Sequence, residues 1–206
     1  MSKSIKNQKQ LFFSHTWKLD KLNRNTHYRV ATLVRGLQKL GWGTWFDQDD
    51  MLGNIDAAMA RGIDNCECVI VCITEQYCHK VNNAAYNPKT RDNCHKEWNY
   101  ANNRDKLMIP VIMEPDLLNT TSWPPGVVPL HLSSTLYIDA SSNDLWKAIL
   151  ALNKMLLNYK LVPKIPVKRF TLRKKLYRNS FSHSERFLTK HLLRTRSGSL
   201  PIEIRI

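Results

Sequence analysis

The sequence predicts an α/β domain in which a parallel sheet carries helices on both faces. Three observations predict it. Cys68-Val69-Ile70-Val71-Cys72-Ile73 is an unbroken apolar run, as expected of a central strand covered on both sides. Strand-length apolar runs alternate with stretches of helical period along residues 10–159. The joints between them carry helix stops and caps, such as Gly41 and Asn54.

Taken in order, Gln10-Leu11-Phe12-Phe13-Ser14 reads as a short buried strand. Tyr28, Val30, Ala31, Leu33, Val34, Leu37 and Leu40 then recur at helical spacing, with Gly41 as the stop. Trp42 to Phe46 is a second strand, followed by the acidic loop Asp47 to Gly53. Asn54 caps a helix through about Asn65, with Ile55, Ala58, Met59, Gly62 and Ile63 on one face. The central strand Cys68–Ile73 comes next. Residues Tyr77 to Arg91 are polar and read as irregular, Pro88 opposing a simple helix. A helix around Glu97 leads to the strand Leu107–Met113, whose Pro110 suggests a position near an edge or bulge. A Pro-rich loop at residues 123–126 precedes the strand Leu136-Tyr137-Ile138. Ser141 or Ser142 then caps a last helix, Leu145 to Tyr159. Five β–α units in about 150 residues suggest a flavodoxin-like five-stranded parallel sheet of order 2-1-3-4-5. Its ligand crevice is expected at the carboxyl ends of the first and third strands.

Charge divides the chain. Residues 160–206 hold thirteen Lys/Arg against two acids, a net +11, leaving only +3 of the formal +14 to the first 159 residues. The expected organisation is a polar extension at 1–9, a domain at 10–159 and a basic tail at 160–206, partly disordered or amphipathic. Five cysteines, an odd number, with no apolar leader at the N-terminus, suggest free thiols in a reducing, cytoplasmic compartment. No apolar run reaches the roughly 18 residues that span a bilayer.

Several chemistries are disfavoured. None of the seven glycines forms a dinucleotide fingerprint or a phosphate-cradling loop. A phosphoacceptor site needs clustered acids after the first strand, where Ser14-His15-Thr16-Trp17 stands instead. Zinc would have to gather Cys66, Cys68, Cys78-His79 and Cys94-His95, but no CxxC pair occurs and Cys68 and Cys72 lie inside the apolar strand, so no metal site is expected. His15 reads as a hydrogen-bonded loop histidine or a general base, and Cys94 as redox-sensitive if its thiolate is favoured. Glu97 is either a solvated carboxylate, paired with Lys96 or Arg104, or a working group at the strand ends.

Residues 10–159 resemble a TIR domain, of a divergent non-animal type. The resemblance is carried by Phe12-Phe13-Ser14-His15-Thr16-Trp17, by Trp45-Phe46-Asp47 opening the loop after the second strand, by Gly62-Ile63-Asp64, and by Asp92-Asn93-Cys94 followed by Glu97 and Tyr100-Ala101. It implies two functions. One is NAD⁺ nucleosidase activity in signalling or defence, releasing nicotinamide and ADP-ribose or its cyclic form, with NAD⁺ as substrate and no cofactor. The other is a non-catalytic adaptor that works by homotypic assembly. For the enzyme, Glu97 corresponds to the catalytic glutamate. Ser14, His15, Thr16, Trp17, Asp47, Asp50, Met51, Gly53, Asn93 and Cys94 would line the nucleotide. Asn93 stands where many catalytic members carry tryptophan, and Lys18 is the nearest cation where some carry arginines.

The tail alternates cations with Phe170, Leu172, Leu176, Tyr177, Phe181, Phe187 and Leu188 beyond Pro163 and Pro166. That pattern suits an anionic membrane, a nucleic acid, nuclear import or a solvated extension.

Overall fold

The computed structural model describes residues 9–46, 54–87 and 89–166. The acidic loop 47–53 and the tail from 167 lie outside the described residues. Five strands form the sheet: β1 (Leu11–Ser14), β2 (Thr44–Trp45), β3 (Cys68–Ile73), β4 (Leu107–Ile112) and β5 (Ile138–Asp139). All neighbours are parallel and the order is β2-β1-β3-β4-β5, the flavodoxin-like arrangement expected. The helices are α1 (Thr26–Lys39), α2 (Ile55–Asn65), α3 (Glu75–Tyr86), α4 (Asn93–Asn103), α5 (Val127–Leu132) and α6 (Trp146–Asn158).

Strand alternation sorts the core into two faces. Leu11 and Phe13 of β1 and Cys68, Ile70 and Cys72 of β3 pack with α1 and α6. Phe12, Val69, Val71 and Ile73 face the other way, against α2, α3 and α4. On that second face α2 comes very close to the sheet. A Cβ on Gly62 would sit 2.9 Å from the Trp45 indole and 3.0 Å from the Phe12 ring, so only glycine permits this approach.

Two local expectations are corrected, and the edge-like position expected of Pro110 takes a specific form. Residues 77–91 are not irregular as a whole, because α3 runs from Glu75 to Tyr86. Thr74 caps it through its side chain, Tyr77, Cys78, Val81 and Ala84 form its buried stripe, and Pro88 lies beyond its end. Pro110 sits within an interior strand, but at a place where β4 has one neighbour. β5 pairs only with Val111 and Ile112, and the Met113 N–H bonds Ile73 O, so by alternation the position of Pro110 faces the side that β5 does not reach. Neither Ser141 nor Ser142 caps α6. Their hydroxyls donate to Asp139 Oδ1 and Asp144 O, and it is Asp144 that accepts the Trp146 N–H at 3.0 Å.

After α6 the chain returns to the amino ends of β1, β2 and β3. The Gln10 amide, fully buried, donates to Val162 O at 2.7 Å and accepts the Lys164 N–H at 3.1 Å. Ile165 N–H bonds Gly41 O at 3.0 Å, and Lys164 pairs with Glu67.

Candidate functional site

Glu97 is not a solvated carboxylate. It lies 5% exposed on the inner side of α4, and neither proposed partner reaches it: Lys96 pairs with Asp56 and Arg104 with Asp64. The helix periodicity turns Glu97 inward together with Cys94, Trp98 and Ala101. Asp92 sets where that helix starts, because its side chain accepts the Cys94 N–H at 2.8 Å. Its carboxyl is pushed up by burial, but the Lys80 ammonium, 2.9 Å away, and the Cys94 N–H outweigh that and hold it below the usual aspartate range.

At the carboxyl end of β1, the Ser14 hydroxyl donates to Glu97 Oε2 at 2.7 Å and lies 2.9 Å from the Tyr77 hydroxyl. Ser14, Tyr77 and Glu97 thus come from β1, α3 and α4 and meet in a buried cluster. Tyr77 was not anticipated, since its segment read as irregular. Burial pushes its phenol well above the usual range, so it keeps its proton.

The remaining residues expected at the site divide into three groups. His15 is buried, its Nε2 2.9 Å from His27 Nδ1, inside a ring column with Phe46 and Trp17; the His27 and Trp17 rings stack at 3.8 Å. Thr16 is buried and its hydroxyl accepts the Lys18 N–H at 3.3 Å, while Trp17 is 57% exposed. Cys94 donates its thiol to His15 O at 3.4 Å, tying α4 to the loop after β1. Burial, followed by the charges of Glu97 and Asp92, raises that thiol strongly, so a favoured thiolate at Cys94 is corrected to a protonated, enclosed one. Asn93 is exposed on the first turn of α4. Asp47, Asp50, Met51 and Gly53 lie outside the described residues.

Two further clusters, invisible in the sequence, hold the strand ends in place. Asp20, 5% exposed, accepts the Leu22 and Arg24 N–H groups and the Arg24 Nε, the last at 2.7 Å. Arg24 then donates to Met113 O and Ser141 O at 2.7 and 2.6 Å, which stitches the loop after β1 to the ends of β4 and β5. Arg29 donates to Ala140 O at 2.6 Å, and burial pulls its pKa down. Glu114, just past β4, accepts the Lys21 N–H at 2.9 Å and the Glu75 N–H at 2.8 Å. Arg24 and Arg29 are therefore engaged with backbone carbonyls, and Lys21 with Glu75. Among the described residues no three His, Cys, Asp or Glu side chains converge as a metal would require. Nor is any described helix long and apolar enough to cross a membrane.

The solved TIR domain of the Toll-related receptor TRR-2 from the lower metazoan Hydra magnipapillata is similar to this chain at 17% identity, covering 72% of this chain and 97% of that one, with a TM-score of 0.46. No curated protein matches the chain. The family described as TIR domain matches residues 12–155, a span that takes in β1 from Phe12 onward, the other four strands, Ser14, Tyr77 and Glu97. The chain belongs to the TIR domain family.

Proposed function

We propose that this TIR domain is an NAD⁺ nucleosidase, cleaving the bond between nicotinamide and ribose. The observation that supports the reading is the buried Glu97 carboxylate, fastened by Ser14 at 2.7 Å beside the carboxyl end of β1. A carboxylate taken out of water costs several kcal/mol unless hydrogen-bonded, and this domain keeps such a bonded carboxylate at its strand ends. Ligand crevices of doubly wound sheets open at that end.

The chemistry asks little of the protein. The bonding pair leaves with nicotinamide, which neutralises its pyridinium ring, and C1′ of the ribose takes on oxocarbenium character. Glu97 accepts hydrogen bonds from the ribose hydroxyls, and its charge stabilises the cation. Water then adds at C1′ and loses a proton to give ADP-ribose; attack by an adenine nitrogen gives the cyclic product instead. Ser14, His15, Thr16, Trp17, Asn93 and Cys94, with Asp47, Asp50, Met51 and Gly53 of the segment that follows β2 in sequence, form the nucleotide wall in this reading.

The test is nicotinamide release from NAD⁺ by the full chain at high concentration, since such sites are expected to complete on assembly. Release that disappears with Glu97→Ala supports the nucleosidase. Self-association without release, unaffected by Glu97→Ala, rejects it in favour of a non-catalytic adaptor.

A further inference from the structure

We propose that Tyr77 is a positioning residue for Glu97, acting through the Ser14 hydroxyl. The inference rests on the nucleosidase reading and adds to it a residue that touches no substrate. Its basis is a proton count. Ser14 has one hydroxyl proton, and an ionised carboxylate can only accept. At 2.7 Å from Glu97 Oε2 that proton is committed to Glu97. The 2.9 Å contact between Ser14 and Tyr77 must then use the Tyr77 proton. The chain therefore has one direction, Tyr77 to Ser14 to Glu97, and each bond polarises the next.

The surroundings hold this direction. Tyr77 is fully buried, its backbone N–H fixed by the cap Thr74 Oγ1 at 3.1 Å, so its ring enters the cluster from the first turn of α3. Burial keeps the phenol protonated and so a donor. If Glu97 took up a proton, Oε2 would meet the Ser14 hydroxyl at best as a neutral carbonyl oxygen, a weaker acceptor than a carboxylate oxygen. Tyr77 and Ser14 thereby favour the ionised, acceptor state and fix which carboxylate oxygen faces β1. Lys80 on α3 and Asp92 and Cys94 on α4 also act on this neighbourhood electrostatically. They are retained in every variant below, so their influence cancels.

The experiment follows the Glu97 carboxyl by carbon NMR in the full chain labelled at glutamate, with the resonance assigned by Glu97→Gln. Nicotinamide release against pH is measured in parallel. Tyr77→Phe keeps the ring and removes the hydroxyl. The Glu97 midpoint should rise by about half to one pH unit, and the acidic limb of the rate profile should move with it. The kcat should fall about 3- to 10-fold with KM changed less than about twofold. Tyr137→Phe is the control, since it removes a hydroxyl bonded to Leu118 O at 2.8 Å, outside the cluster, and should leave the Glu97 midpoint unmoved. A Glu97 midpoint that is the same in Tyr77→Phe as in Tyr137→Phe overturns the inference. If Tyr77→Phe does not fold, Ser14→Ala carries the test, and an unshifted midpoint there also overturns it. Absence of turnover in the unmodified chain would remove the nucleosidase reading alone, because the carboxyl titration still decides whether Tyr77 governs Glu97.

Discussion

Glu114 accepts the backbone N–H of Glu75 at 2.8 Å, so the carboxylate that ends β4 holds the first turn of α3. Its other oxygen takes the Lys21 N–H at 2.9 Å, joining the loop after β1 to the same point. Burial raises the Glu114 carboxyl above the usual range, against the pull of these donors. Glu114→Ala should cost about 1–3 kcal/mol, the penalty of losing bonds to backbone donors that have no other partner. The pH dependence has a definite sign. A carboxyl whose folded pKa is raised loses stability as pH climbs from the unfolded value, about 4.3, through the folded one. Glu114→Gln, which cannot titrate, should trail the unmodified protein by more at pH 4 than at pH 7 in urea unfolding.

Asp92 has the opposite sign. Its pKa is depressed in the fold by Lys80 and the Cys94 N–H, despite burial. The stability it supplies is present above the unfolded value, about 3.9, and is lost as pH falls through the lower folded value. Asp92→Ala also removes the cap of α4 and should cost about 0.5–2 kcal/mol at pH 7. The gap between variant and unmodified protein, read from urea midpoints, should narrow below about pH 4.

The segment past α6 belongs to the stability of the domain. Gln10 is fully buried and satisfied by Val162 O and the Lys164 N–H. A chain ending at Tyr159 strips two of that amide's three partners, leaving only the Gly43 N–H at 3.4 Å, and should lose about 1–3 kcal/mol relative to one ending at Pro166. The Lys164–Glu67 pair, partly exposed, adds little to that difference. Thermal unfolding of the two chains, monitored by circular dichroism, checks the expectation.

The sheet order was legible because each strand had its own pattern: the apolar run Cys68–Ile73 could only be central, and Asn54 announced α2 by its capping position. The burial of Glu97 was not legible. Its neighbours Lys96 and Trp98 point to different environments, and which side of α4 meets β1 depends on packing distant in sequence. Tyr77 was missed for a local reason. Its apolar stripe is interleaved with Gln76, His79, Lys80, Asn82 and Asn83, and Pro88 drew attention to a break that comes after the helix ends. The Asn82 side chain is itself spent inside the fold, donating to Pro124 O and Pro125 O and accepting the Val128 N–H. The Asp20–Arg24 and Glu114 clusters bond backbone groups far along the chain, and such contacts leave no periodic trace in a sequence.

In the proposed cleavage the charge of Glu97, rather than its bulk, stabilises the ribosyl cation. Glu97→Gln isolates it: the amide oxygen still accepts the Ser14 hydroxyl, so the cluster keeps its shape while the negative charge is gone. Nicotinamide release by the concentrated full chain should fall at least about 100-fold in Glu97→Gln, the scale of losing an electrostatic stabiliser of the transition state, with the urea midpoint little changed. Release that persists in the folded variant at the unmodified rate would contradict the account and leave Glu97 a structural carboxylate.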